Sequence, residues 1–510
     1  MCGKRMRRML AGLLLLALLT GSAFAQETAP VERTAPKYLY QDLRDVYLRG
    51  TGTNTMLVVF LGYKDGLACD REALELLFTG EFDSEHRLGS VASYYGYNSY
   101  GKTDFDIRFV YLDTGMTCRQ GYENAGRNHE RYYTQLFNRA KKAYRGDVRD
   151  LDRDGDGFAD LVVFIGGEDT LKTVGDGERY YIGGNGSMGQ RKARKNRYDP
   201  EMCLYIRVAY EPMLKELIPA NPYSGARVLL HEIGHAFGLM DYYDTEGYQD
   251  EWIDSVGTFD MQSYDIGDWN PYSKMACGWL EPYVIPEDAE SVTLKLGCSS
   301  EVGDAVLIPT SLGWNGTPFD EYILIDVMAP EGGNGYDWEW AMDERQVAPD
   351  DPGKDGGVRI YHVDARLELQ DMRHAKYVST PAFTFEEIES ALKGRSYGKD
   401  FQLYHMHVNS NGYEPKLEAD SRWYHLVELV PRDGTGKYRV TTPTNWSAFH
   451  FFAVNDLFRP GDSFSMRTHA DAFPNAPYMN NGGTLDWTVT VDAYDPETHE
   501  AVVTVRRGKE

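Results

Sequence analysis

Cysteine is scarce and unpatterned in this chain. Of six, Cys2 sits at the extreme N-terminus, leaving Cys69, Cys118, Cys203, Cys277 and Cys298. An odd set with no CxxC spacing excludes the common cysteine metal and redox patterns, and it cannot pair completely. One or two disulfides are compatible with it, of unreadable connectivity. Basic residues are also in short supply: 53 Lys and Arg stand against 78 Asp and Glu, a net charge of −25. That sign argues against nucleic acid and anionic membranes as partners, and it suits solubility and hard cations. Beyond the N-terminus no apolar run approaches the roughly 20 residues needed to cross a bilayer. Internal repeats and low-complexity tracts are absent.

What is present begins at the N-terminus. Four basic residues (Lys4, Arg5, Arg7, Arg8) precede the run LLLLALLTG, which gives way to Ala23-Phe24-Ala25. A charged start, a short apolar stretch and a small-x-small site read as a secretory signal over 1–25, removed on export. The expected product is secreted or periplasmic, with no membrane span after signal removal. A hydrophobic content of 42% is enough to build buried cores, and the length suits two or three domains.

Residues 26–52 are polar and weakly patterned, and read as a linker or short pro-segment. MLVVFLGY (56–63), FDIRFVYL (105–112) and LVVFIGG (161–167) read as strands. They alternate with helical spacing in REALELLF (71–78) and NHERYYTQLFNRAKKAY (128–144), a pattern that predicts an α/β layered domain over 53–282. Residues 166–202, with the basic run RKARKNR (191–197), read as an exposed excursion. Over 283–510 short alternating strands follow one another, among them EYILIDVMA, GVRIYHVDA and AVVTVRR. Only TFEEIESALKG (384–394) reads as helix there, so this half is expected to be all-β, one or two sandwiches.

The segment LLHEIGHAFGLMDYYD carries the chemistry. His231 and His235 are four apart, so a helix presents both imidazoles on one face, where they can share a zinc ion. Glu232 lies beside them, placed to take a proton from an attacking water and return it to a leaving amine. Gly238 is where the chain can leave the helix with a positive φ, bringing Asp241 round as third ligand. Asp244 is the rival, with a second role open to it in orienting a ligand histidine. Three protein ligands leave a fourth position open, as in catalytic zinc sites.

HEIGHAFGLMDYYD resembles the extended zinc signature of the immune inhibitor A-type (M6) metallopeptidases, of the metzincin-like clan. SVASYYGYNSYGKTDFD (90–106) is similar to that family's segment ahead of the site, and GTFDMQSYDIGDWNPYSKMACGWL (257–280) to the segment after it. EYILIDVMAP and GVRIYHVDA resemble its first β-sandwich segment. The resemblance covers most of 55–370. It implies a metzincin-like zinc endopeptidase with His231, His235 and Asp241 as ligands, Glu232 as general base and Met261 as the floor beneath the metal. It also points to Tyr264 as an oxyanion stabiliser, at a spacing from Met261 one residue longer than is common.

A second cation site is expected in DLDRDGDGFADLVVF (150–164). Asp152, Asp154, Asp156 and Asp160 crowd a loop whose sharp turn Gly157 permits, and Phe158 can add its backbone carbonyl. Such clustered oxygens suit Ca2+. The twelfth position is Val163 instead of a glutamate, so this is not a complete EF-hand.

The leading expectation is a secreted zinc endopeptidase acting on a protein or peptide substrate lying along an edge strand. The alternatives are an extracellular binding or adhesion protein using its β region over an idle zinc site, and a zinc hydrolase of a non-peptide bond. Trp338, Trp340 and Trp423 in the β region are candidate binding platforms, with core or surface packing the commoner role for such residues.

Overall fold

A computed structural model describes residues 31–44, 47–80, 90–167, 185–188, 198–210, 224–243, 255–257, 260–263, 267–335, 338, 352–373, 379–409, 424–435 and 456–508. The signal expected over 1–25 lies outside them, as does the basic run 191–197.

The chain is mixed α/β, with one largely parallel sheet and several antiparallel ones. The first sheet runs Thr103–Asp113, Gly52–Gly62, Leu161–Gly166, Leu204–Ala209, all parallel, with Asn185–Met188 antiparallel at its end. Its Gly52–Gly62 strand sends Met56, Val58 and Phe60 into one core and Leu57, Val59 and Leu61 into another. Burial on both faces is why this stretch is a continuous apolar run. The helices Cys118–Arg127 and His129–Ala143 cover the second face with Ala125, Tyr133, Leu136 and Phe137. Arg71–Thr79, Val91–Asn98 and Ser224–Ala236 cover the first. Asp70, Ser90, Thr117 and Asn128 cap their helices by accepting an N–H of the first turn, each worth about 1 kcal/mol.

Beyond Tyr283–Val284, which pairs parallel with Ala305–Pro309, the texture turns antiparallel. A second five-stranded sheet is ordered Val427–Leu429, Gly357–Asp364, Glu321–Met328, Ala305–Pro309, Tyr283–Val284. Val306, Ile308, Ile323, Ile325, Val358 and Ile360 on one face meet a four-stranded sheet built from Ser291–Leu296, Ser463–Ser465, Trp487–Asp495 and Glu500–Arg507. These two sheets form one sandwich. The opposite face (Leu307, Tyr322, Leu324, Tyr361, Val363) joins the same core as the Ser224–Ala236 helix. A small sheet of Leu367–Asp371, Ser379–Ala382 and Phe401–His405, with the helix Phe385–Lys393, is inserted between strands of the second sheet. No disulfide joins the described cysteines.

Within the 26–52 segment, the described residues are stitched into this framework. Tyr40, Leu43 and Leu48 are buried in the main core. Thr34 N donates to Pro282 O, and Lys37 N to Gly316 O. Tyr38 stacks on Phe385, and the Tyr40 hydroxyl lies 2.9 Å from both Tyr272 Oη and His405 Nε2.

Candidate metal centre

The helix Ser224–Ala236 is sorted by its period. Leu229, Leu230, Ile233 and Ala236 are buried, while Val228, Glu232 and His235 stay partly open, with His231 between the two sets. Both histidines therefore project from the less buried face, as their spacing predicts. The helix gives way to a turn in which Gly238 has φ +96°, and a β-carbon there would come within 2.9 Å of Tyr40 and Tyr47. Glycine is required twice, for conformation and for space.

That turn brings Asp241 to the histidines. Its Oδ1 lies 2.9 Å from His231 Nε2 and 3.3 Å from His235 Nε2. The opposite ring nitrogens face carbonyls: His231 Nδ1 donates to Met261 O and His235 Nδ1 to Leu239 O, both at 2.8 Å. A carbonyl only accepts, so each Nδ1 carries a proton, and each Nε2 faces Asp241, the nitrogen whose lone pair a neutral ring would offer to a metal. Asp241 Oδ1 is buried and accepts no aligned hydrogen bond. Zinc bonds of about 2.0–2.1 Å in a tetrahedron set ligands about 3.3 Å apart, so this donor set fits zinc in type and in spacing.

The electrostatics agree. Burial works to lower the His235 pKa, but Asp241, Glu232 and the Leu239 carbonyl outweigh it and raise it to about 9. Burial works to raise the Asp241 carboxyl, yet the two imidazoles hold it well below the usual carboxylate range. Both shifts describe a pocket arranged to hold positive charge where the three atoms meet. Glu232 is half-buried beside His231.

The floor is built from the described residues 255–257, 260–263 and 267–270. Met261 is fully buried, and its carbonyl orients His231. Tyr242 N, next to Asp241, donates to Gln262 O at 2.8 Å. Asp260 braces the turn by accepting from Gln262 N and from both nitrogens of Asn270. The β region holds the approach to this floor: Leu429 N donates to Ser255 O at 2.7 Å, and Asn409 bonds Ser255 Oγ and Val427 O. None of Gln262, Ser255, Asn409 or Tyr40 carried a sequence signal, because their roles depend on contacts remote in the chain. Asp244 and Tyr264 lie outside the described residues, as do Trp340 and Trp423. Trp338 is buried, with Nε1 donating to Lys354 O, which is packing and not a platform.

In the acidic loop, Asp152, Asp154 and Asp156 bring one carboxylate oxygen each within 4.8 Å of the others. Gly155 and Gly157 take φ +76° and +95°. Asp152 is only 7% exposed, and its Oδ1 has no hydrogen-bond partner. A buried carboxylate oxygen without a donor is costly, and a cation meets that need. Asp160 stands beside the trio in a bracing role, accepting from Thr55 N at 2.7 Å and Arg153 N at 2.9 Å. Burial pushes its pKa up to about 6 against those two donors. Phe158 opens a two-residue strand, Phe158–Ala159, paired with Glu201–Met202.

Comparison with protein-family models and with curated proteins returns no match, so the reading of the two sites rests on their own geometry and chemistry.

Proposed function

We propose that this chain is a secreted zinc endopeptidase of metzincin-like fold, akin to the immune inhibitor A-type peptidases. The observation that carries the reading is the meeting of His231 Nε2, His235 Nε2 and Asp241 Oδ1, with both Nδ1 protons given to carbonyls. Two imidazoles and one carboxylate leave a coordination position open, which suits catalysis better than a purely structural role. Zinc held there supplies Lewis-acid polarisation of a carbonyl and acidification of water.

The chain's own residues do the rest. Glu232 takes a proton from the attacking water and passes it to the leaving amine nitrogen, so one acid–base group serves both halves of the reaction. Met261 O keeps the His231 ring in the tautomer that offers Nε2. The Asn185–Met188 strand ends the first sheet and lies beside the Ser224–Ala236 helix. An extended peptide lying along it would find backbone partners at that edge, on the side of the sheet that meets this helix. Calcium on Asp152, Asp154 and Asp156 stiffens the loop that leads into the Leu161–Gly166 strand.

The test is cleavage of casein by purified protein, with a zinc chelator and after zinc is restored. Cleavage lost under chelation and regained with zinc supports the reading. Folded, zinc-loaded protein that cuts nothing moves the weight to an extracellular binding protein.

A further inference from the structure

Position 234, between the two ligand histidines, is a glycine inside a helix, where glycine is among the least favoured residues. The reason lies in Gln262. A β-carbon on Gly234 would stand 2.2 Å from Gln262 Oε1 and 2.9 Å from its Cδ. The amide thus lies flat across the helix at the point where a side chain is missing. Gln262 is fully buried. Its Oε1 accepts from Trp269 Nε1 at 3.3 Å, and its Nε2 lies 3.3 Å from His235 Nδ1. That nitrogen already gives its proton to Leu239 O at 2.8 Å, so the amide meets the ring edge as a packing surface. Gln262 also reaches the third ligand's segment, since its carbonyl accepts from Tyr242 N. The preceding carbonyl, of Met261, holds His231. One side chain and two consecutive carbonyls therefore touch the segments that carry all three ligands.

We infer that Gln262 is a positioning residue of the metal centre, working by shape: it fills the hollow left by Gly234 and so fixes the His235 ring against the Leu239 carbonyl. The inference rests on the zinc reading above. Groups that orient metal ligands typically change affinity by roughly 10–100-fold when removed, and Gln262 belongs in that range. Glycine at 234 is then a steric partner of Gln262 and not a hinge.

The experiment is a cycle of Gly234→Ala, Gln262→Ala and the double variant, with Gln262→Met as a same-length control. Zinc affinity is read by competition with a chromophoric chelator, and ligand geometry by the visible spectrum of the cobalt-substituted protein. Far-ultraviolet circular dichroism of the metal-free proteins shows whether each is folded. The expected result is a loss of roughly 10–100-fold in each alanine variant, with tighter binding in the double variant than in Gly234→Ala, because the new methyl occupies space the amide vacated. Gln262→Met keeps near-parental affinity and an unchanged cobalt spectrum. This control carries the test if the alanine variants do not fold. Parental affinity in Gln262→Ala, no recovery in the double variant, or a Gln262→Met protein that loses zinc overturns the inference. A parent that binds no zinc overturns the metal reading, and this inference with it.

Discussion

The backbone N–H of Leu48 donates to the carbonyl of Ala236 at 2.9 Å, so a segment far upstream satisfies the last turn of the helix bearing His231 and His235. Beside it, Tyr40 and Tyr47 press on Gly238, and the Tyr40 hydroxyl ties Tyr272 to His405 of the inserted small sheet. The described residues of 31–50 are in this way part of the scaffold that sets the helix bearing His231 and His235.

Truncation of Tyr40 should therefore be expensive. Tyr40→Ala removes a fully buried ring and is expected to cost about 3–5 kcal/mol. Tyr40→Phe keeps the ring and strands two polar partners, at about 1–3 kcal/mol. Urea unfolding of the full chain reads both; losses below about 0.5 kcal/mol, the scale of surface substitutions, would mean that this segment is peripheral.

Asp241→Ala leaves two histidines and an open pocket. Zinc affinity is expected to fall by more than the roughly 10–100-fold typical of a residue that only orients a ligand. Equilibrium dialysis with metal analysis checks this, and retained stoichiometric zinc at micromolar concentration would point to another third ligand.

Calcium added to the metal-free protein should raise its melting temperature, since a ligand that binds only the folded state stabilises it by mass action. Asp152→Asn removes the buried charge at the centre of the cluster and should abolish the shift while leaving zinc binding unchanged. An equal calcium shift in both proteins would remove Asp152 from the site.

Acid–base behaviour follows from Asp320, in the β region. It is 7% exposed, and burial pushes its pKa up to about 7 despite N–H donors from Asn315 and Glu321. The folded state then holds a proton that the unfolded state releases near pH 4. This contribution to stability is full below pH 4 and is lost as pH rises through about 7. Melting temperatures measured from pH 5 to 8 should fall more steeply for the parent than for Asp320→Asn. Parallel profiles would contradict this assignment.

The parts of this molecule that follow a local period were legible in the sequence. The runs 56–61 and 161–166 are buried on both faces and read as strands; His231 and His235 sit four apart on a helix, and Gly238 turns where the pattern ends. The grouping of His231, His235 and Asp241 was legible for the same reason, since all three fall within eleven residues. What escaped lies in contacts without a period. Tyr40, Leu43 and Leu48 enter the core one by one from a polar stretch. Gln262 matters because of Gly234, and Ser255 because an edge strand about 170 residues on reaches back to it. The inserted sheet over 367–405 was hidden by its short, half-exposed strands. That the described residues make one sandwich, where the pattern allowed one or two, depends on which sheet face meets the first domain, and strand alternation alone does not say.

Glu232→Gln bears most directly on the central claim, because it keeps the side chain's size while removing the base. Zinc-loaded parent and variant would be compared on casein, with bound zinc measured in each. The account predicts equal zinc content and a fall in hydrolysis of at least roughly 10²–10⁴-fold, the usual worth of a general base. A variant that holds its zinc and cleaves at the parent's rate would contradict the role given to Glu232.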